Sequence, residues 1–268
     1  MMRASPVTPP GSSSKRIVSM NKLPQITLAF WVMKICATTL GETAGDLVSM
    51  TLDVGYALSS VILISFFIAT LLGQLSVRRY HPPLYWTVIL ATSVAGTTMS
   101  DFMDRTLGLG YATGSAILIA ILASIFLIWY LSERSLSVSN ITSRRAELFY
   151  WFAILFSNTL GTALGDYLAD DSGLGFAGGA LLIGSLIALM AILNYATKIS
   201  SVLIFWIAFV LTRPFGATLG DVLTKSHDHG GLDFGTVGSS MVLLSILVAL
   251  VAYASFNNRR GTSKGQTA

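Results

Sequence analysis

Long apolar runs recur along the chain, separated by short polar interruptions, over roughly 26–50, 55–77, 82–107, 110–132, 146–171, 174–198, 200–226 and 232–256. Each has about the 20 residues that a helix needs to cross a ~30 Å hydrocarbon core, so each is predicted as a transmembrane helix. The stretch before them, 1–22, holds Pro6, Pro9 and Pro10, three consecutive serines and Lys15-Arg16. That composition cannot bury a core and predicts a disordered cytoplasmic tail. No apolar segment with a small-residue cleavage site stands at the start, so no removable signal peptide is expected.

The apolar pattern is itself repeated. Near the end of every odd-numbered run the chain spells one motif: Gly41-Glu-Thr-Ala-Gly-Asp46, Gly96-Thr-Thr-Met-Ser-Asp101, Gly161-Thr-Ala-Leu-Gly-Asp166 and Gly216-Ala-Thr-Leu-Gly-Asp221. A tryptophan lies fifteen residues before each aspartate, at Trp31, Trp86, Trp151 and Trp206, and only Trp129 falls outside the pattern. A glycine follows the aspartate at Gly55, Gly110 and Gly175, and in the fourth copy at Gly235, after an inserted His227-Asp228-His229-Gly230-Gly231. The aspartates are spaced 55, 65 and 55 residues apart, so copies one and three, and copies two and four, are each offset by 120. This is a two-helix unit doubled and doubled again. It divides the chain into two four-helix halves, 23–132 and 146–256, joined by a cytoplasmic linker at 133–145 and followed by a tail at 257–268.

Composition supports the membrane reading. The chain has 268 residues, of which 53% are hydrophobic and 11% charged, with a mean hydropathy of +0.69; that leaves too little polar surface to cover a water-soluble globule. Its single cysteine, Cys36, excludes an intrachain disulfide and a cysteine-type zinc site. Thirteen of the seventeen Lys and Arg fall in the N-tail, the even-numbered connections and the C-tail, while the odd connections hold only Arg105 and Lys225. Both termini are therefore expected in the cytoplasm. The odd connections carry Asp53, Asp104, Asp170, Asp171, Asp228 and Asp233, an outer face that would concentrate cations. The net charge of +4 is distributed by membrane side, so nucleic acid is not expected as a partner.

All four units start and return on the same side, which makes them parallel repeats and predicts a pseudo-fourfold or twice-twofold bundle. Fifteen residues of helix span ~22 Å. The tryptophans are thus placed near the inner interface, where belt anchoring is their expected role, and the aspartates toward the outer third. The motif glycines allow close backbone approach or a locally unwound helix that offers carbonyls.

Carboxylates at membrane depth are costly enough to need a reason. If the four helices face one axis, Asp46, Asp101, Asp166 and Asp221 form an oxygen-ligand set suited to a hard divalent cation, with Thr43, Thr97 and Thr162 as neighbouring hydroxyl donors. Glu42 is four residues before Asp46, on the same helix face. Lys34 and Arg213 lie inside apolar runs; Arg213, beside Pro214, is expected to bridge to an aspartate of another repeat. His at i and i+2 in the His227–His229 loop lacks a helical ligand spacing, and the loop is expected to be a solvated turn.

The repeated Gly-x-x-x-(Gly/Ser)-Asp with its upstream Trp resembles a family of bacterial membrane-anchored proteins built from the same tandem units, most of them without an assigned function. The resemblance spans about residues 26–256. Glu42-Thr-Ala-Gly-Asp46 is also similar in chemistry to the acidic motif of manganese/calcium cation–proton exchangers, Glu-x-Gly-Asp followed by a basic residue. It departs from that motif by one extra residue and by Leu47 in the basic position. Those exchangers repeat three-helix units in inverted orientation, which this chain does not.

The expectation is an all-α integral membrane protein of eight transmembrane helices, a secondary transporter of the bacterial inner membrane. It would export a divalent metal cation, Mn²⁺ first, against protons, with Asp46, Asp101, Asp166 and Asp221 as ligands or proton carriers, assisted by Glu42 and Arg213. A cation channel with a pseudo-fourfold acidic ring and a non-transporting membrane scaffold are the alternatives. The sequence has no Walker loop, nucleophile elbow, HExxH or CxxC, so neither an enzyme nor a bound cofactor is expected. The expected partners are the bilayer, the cation and protons.

Overall fold

The computed structural model describes residues 22–138, 141 and 143–264. The tail expected over 1–22 lies outside the described residues but for Lys22, as does the end of the C-terminal tail. The described residues contain no strand. They form eight helices: α1 (Leu28–Asp46), α2 (Tyr56–Ser76), α3 (Pro82–Asp101), α4 (Tyr111–Glu133), α5 (Arg144–Asp166), α6 (Gly175–Ala196), α7 (Ser201–Thr224) and α8 (Gly235–Lys264). Local chemistry sets several of the starts. Thr27 and Ser143 cap α1 and α5 by accepting from the Phe30 and Ala146 amides, and Pro82 opens α3 where its missing N–H costs nothing.

In the first three repeats the inner helix runs on past its aspartate into a five-residue π-helical turn: Leu47–Thr51, Phe102–Thr106 and Tyr167–Asp171. The returning helix then starts at a glycine with positive φ, at Gly55, Gly110, Gly175 and Gly235, a conformation that an L side chain rarely adopts. The fourth repeat has no π-turn. Its insertion forms a short 3₁₀ turn, His227–His229, which is exposed as expected of a solvated loop.

The four odd helices form a closed ring in the order α1, α3, α5, α7 and back to α1. The even helices lie outside it, and each packs mainly on the inner helix of the next repeat: α2 on α3, α4 on α5, α6 on α7, and α8 on α1. Small residues set the spacing of the ring. A Cβ on Gly41 would strike Ser93, one on Gly96 would strike Asn158, one on Gly161 would strike Arg213 and Pro214, and one on Gly216 would strike Thr38. Each of these glycines thus receives the residue three positions before the motif glycine of the following repeat. The motif is continuous α-helix through all four copies, so the locally unwound helix allowed by the sequence is not what forms. Helix-to-helix contact takes up the space that the glycines leave.

Six of the eight helices are long and apolar enough to cross a membrane. The other two are α1 and α3, rich in polar side chains: α1 carries Lys34, Glu42 and Asp46, and α3 carries Thr92, Ser93, Thr97, Thr98 and Ser100, all of them buried by the ring. In the outer spans only 11–28% of residues are buried, against 61–72% in α5 and α7. The surface is accordingly covered with exposed Leu, Ile, Val and Phe.

The tryptophans correct an expectation. Trp86 and Trp151 are 2% and 0% exposed, Trp206 is buried and Trp31 half-buried, all turned into the bundle rather than outward as belt anchors. They pack with Phe30, Tyr85, Tyr150, Phe205 and Phe209 into an aromatic plug closing one end of the ring, in which the Tyr85 and Tyr150 hydroxyls meet at 2.7 Å. Fifteen residues make about four turns plus 60°. That rotation keeps each Trp near the inward face that carries its aspartate.

Candidate functional site

The end of the ring opposite the plug is where the four C-terminal ends of parallel inner helices converge. Their aligned carbonyls make this a region of negative potential before any side chain is counted. Asp46, Asp101, Asp166 and Asp221 all lie here, each at most 5% exposed.

They form two pairs rather than one ring of four. Lys225 bridges repeats four and one, with Nζ 3.3 Å from Asp221 Oδ1 and 3.2 Å from Asp46 Oδ2. Arg105 bridges repeats two and three, with Nε 3.1 Å from Asp101 Oδ1 and Nη2 3.4 Å from Asp166 Oδ2. Arg105 and Lys225 occupy the same position in their repeats, four residues after the aspartate, where repeats one and three have Met50 and Asp170. The pseudo-twofold offset of 120 residues is thus written into the charges. Sequence reasoning recorded these two cations only as the basic residues of the outer connections. Their shared i+4 spacing, one helical turn from an acid, was the signal that could have placed them in the site.

One layer deeper, at the position after the motif glycine, stand Glu42, Thr97 and Thr162, with Ala217 in the fourth repeat. Arg213 reaches this layer from α7, with Nη2 donating to Glu42 Oε2 at 2.9 Å, to Thr162 Oγ1 at 2.6 Å and to Thr97 Oγ1. The two threonine hydroxyls also lie 3.3 Å from Glu42 Oε2. Arg213 therefore does bridge to a carboxylate of another repeat, but to Glu42 and not to an aspartate, because its side chain ends a turn short of the aspartate layer. Below it Lys34, fully buried, donates to Asn158 Oδ1 at 3.3 Å and lies 4.3 Å from the centre of the Phe209 ring.

Thr43 does not join this group. One residue beyond Glu42, it is rotated by about 100° and faces α8, where it accepts from Ser240 Oγ at 2.9 Å. Three carboxylates do come together: single oxygens of Glu42, Asp46 and Asp221 all lie within 4.8 Å of one another, a separation that one oxygen-coordinated cation can span. Asp101 and Asp166 lie outside that cluster.

A cleft of about 370 Å³ opens over both pairs, lined by Glu42, Asp46, Asp166 and Asp221 with Arg105 and Lys225, and rimmed by Asp170 and His229. Its lining holds five carboxylates (Glu42, Asp46, Asp166, Asp170 and Asp221) against the two basic groups Arg105 and Lys225, so acidic groups outnumber basic ones. The chemistry available is the binding and exchange of cations and protons. No nucleophile held by a general base is found among these groups.

The fold and site define a tandem-repeat helical protein with a carboxylate cup at one end of a closed inner ring. The family model described as Repeat of Unknown Function (DUF347) matches residues 29–80, 84–135, 149–200 and 204–260, well over half of the chain, and the chain belongs to this family. Each match opens two residues before a repeat tryptophan and takes in one inner and one outer helix. No curated protein and no solved structure matches the chain.

Proposed function

We propose that the protein is a secondary transporter in the bacterial inner membrane, spanning it eight times with both termini in the cytoplasm, and that it exports a divalent metal cation, Mn²⁺ first, in exchange for protons. The observation that carries this reading is the cluster of buried Glu42, Asp46 and Asp221, with oxygens within 4.8 Å of one another, lining an open cleft. Hard divalent ions take carboxylate oxygens at ~2.0–2.6 Å, and the excess of acidic over basic groups lining the cleft favours a cation there. The apolar outer helices, which expose large hydrophobic side chains all round, support the membrane setting. The two polar inner helices gain their place from burial in the ring rather than from their own hydropathy.

The acidic cleft lies at the aspartate end of the ring, and the aromatic plug packs across the other end. Aromatic packing across the ring at the far end from the cleft favours alternating access over a continuous pore. The test is Mn²⁺, Ca²⁺ and Mg²⁺ flux into liposomes, with and without a pH gradient, for the wild type and for Asp46→Asn, Asp221→Asn and Glu42→Gln. Gradient-dependent flux lost in all three variants is the expected result. Wild-type protein that moves none of these ions under either condition would overturn the reading.

A second reading has one observation behind it: each motif aspartate already has an ion-pair partner, Lys225 or Arg105. A scaffold that only locks its repeats together would look the same at those four positions. Glu42 too would serve such a scaffold through its ion pair with Arg213; what the scaffold leaves without a role is the approach of the Glu42, Asp46 and Asp221 oxygens to one another, and on that we prefer transport.

A further inference from the structure

Lys225 stands in the way of the ion that its own site is built to take. Its ammonium lies between Asp46 Oδ2 and Asp221 Oδ1, at 3.2 and 3.3 Å, and these residues are two of the three carboxylates of the Glu42–Asp46–Asp221 cluster. A metal ion at ~2.0–2.6 Å from those oxygens and an ammonium on the same oxygens are like charges sharing ligands. The two exclude each other.

The backbone around Lys225 is held by hydrogen bonds, and its side chain is partly exposed. Lys225 follows the last residue of α7, with extended backbone angles, and its carbonyl accepts from the Asp233 amide at 2.9 Å. The side chain is 27% exposed and borders the open cleft, so a flexible four-carbon stem can swing toward solvent without unwinding a helix. The pseudo-twofold counterpart differs. Arg105 bridges Asp101 and Asp166, but there Thr162 stands where the other pair has Glu42, and the guanidinium also lies 5.7 Å from the centre of the Tyr111 ring. That pair has no third carboxylate with which to prefer a divalent ion over its own cation.

We propose that Lys225 is a tethered competitor for the transported cation: its ammonium fills the Glu42–Asp46–Asp221 site when no ion is bound and leaves when a divalent ion enters. The proposal rests on the cation-transport reading and adds selectivity to it. A divalent ion brings two charges to oxygens that the ammonium holds with one, so it displaces Lys225. A monovalent ion has no such advantage, and Na⁺ and K⁺ are left outside. The tether also keeps the emptied site from standing open with unpaired buried carboxylates.

The test uses full-length protein in detergent with Mn²⁺ alone as the probe, and reads its binding by titration calorimetry. Lys225→Met is expected to bind Mn²⁺ about tenfold more tightly than the wild type, the gain expected if the lysine fills the site nine-tenths of the time. Lys225→Arg, which keeps a tethered cation, should not show the gain, and adding Asp46→Asn to Lys225→Met should abolish it. An independent measurement needs no variant: saturating Mn²⁺ should raise acetylation of the Lys225 amine in the wild type, read by mass spectrometry. Wild-type binding of Mn²⁺ with no gain in Lys225→Met, or with Lys225 labelling unchanged by Mn²⁺, would overturn the competitor and leave the transport reading standing. Absence of Mn²⁺ binding from both wild type and Lys225→Met would overturn both together.

Discussion

Arg213 and Glu42, 171 residues apart in the sequence, meet at 2.9 Å in the middle of the inner ring with side chains 0% and 4% exposed. This pair joins the last repeat to the first. Removing one partner leaves the other charged and buried, a loss of about 3–5 kcal/mol in comparable pairs. Arg213→Met should therefore lower the thermal midpoint sharply, followed by tryptophan fluorescence in detergent. The double variant Glu42→Met with Arg213→Met should recover much of that loss, because no charge is left stranded.

Glycine substitutions should separate by place. A Cβ at Gly161 runs into the Arg213 side chain and Pro214, whereas one at Gly238, in α8, meets nothing within 4 Å. Gly161→Ala should destabilise by about 1–3 kcal/mol through overpacking. Gly238→Ala should be neutral or stabilise by up to about 1 kcal/mol, since alanine is the better helix former. Equal effects at the two sites, measured by thermal unfolding, would contradict the ring packing.

The Tyr85–Tyr150 hydroxyl pair inside the aromatic plug is open to a double-mutant cycle. Tyr85→Phe strands the Tyr150 hydroxyl in an apolar layer and should cost about 1–3 kcal/mol. Tyr85→Phe with Tyr150→Phe should cost less than either change alone, because neither hydroxyl then lacks a partner.

The two aspartate pairs should respond unequally to neutralisation. Asp46→Asn removes a member of the three-carboxylate cluster and should weaken Mn²⁺ binding by at least about tenfold, the scale on which even outer partners of a metal site count. Asp101→Asn, in the Arg105 pair, should leave Mn²⁺ affinity closer to that of the wild type. Equal losses on calorimetric titration would mean that all four aspartates act as one ring.

The helices were legible in the sequence, because apolar periodicity and the Trp-to-Asp spacing are local signals. The segment predicted over 55–77 is observed as Tyr56–Ser76, and that over 110–132 as Tyr111–Glu133. Partner choice was not legible, since nothing in α2 says that it packs on α3 rather than on α1. Within the site, the gathering of the aspartates at one end of the ring, opposite the tryptophans, followed from spacing, but their pairing depended on lateral distances that the chain does not encode locally. Trp86 illustrates the limit. The same ring chemistry suits an interface and a core, and only the rotation of α3 within the closed ring decides that it faces inward.

Because α8 packs on α1 as α2 packs on α3, the ring of repeats has no beginning. Each two-helix unit lends its outer helix to a neighbour and borrows one in return, so no unit is complete when cut out. Where translation starts is then a matter of the gene and not of the architecture. A circular permutant that opens with α3 and ends with α2, its old ends bridged by a linker, would retain every seam of the native bundle.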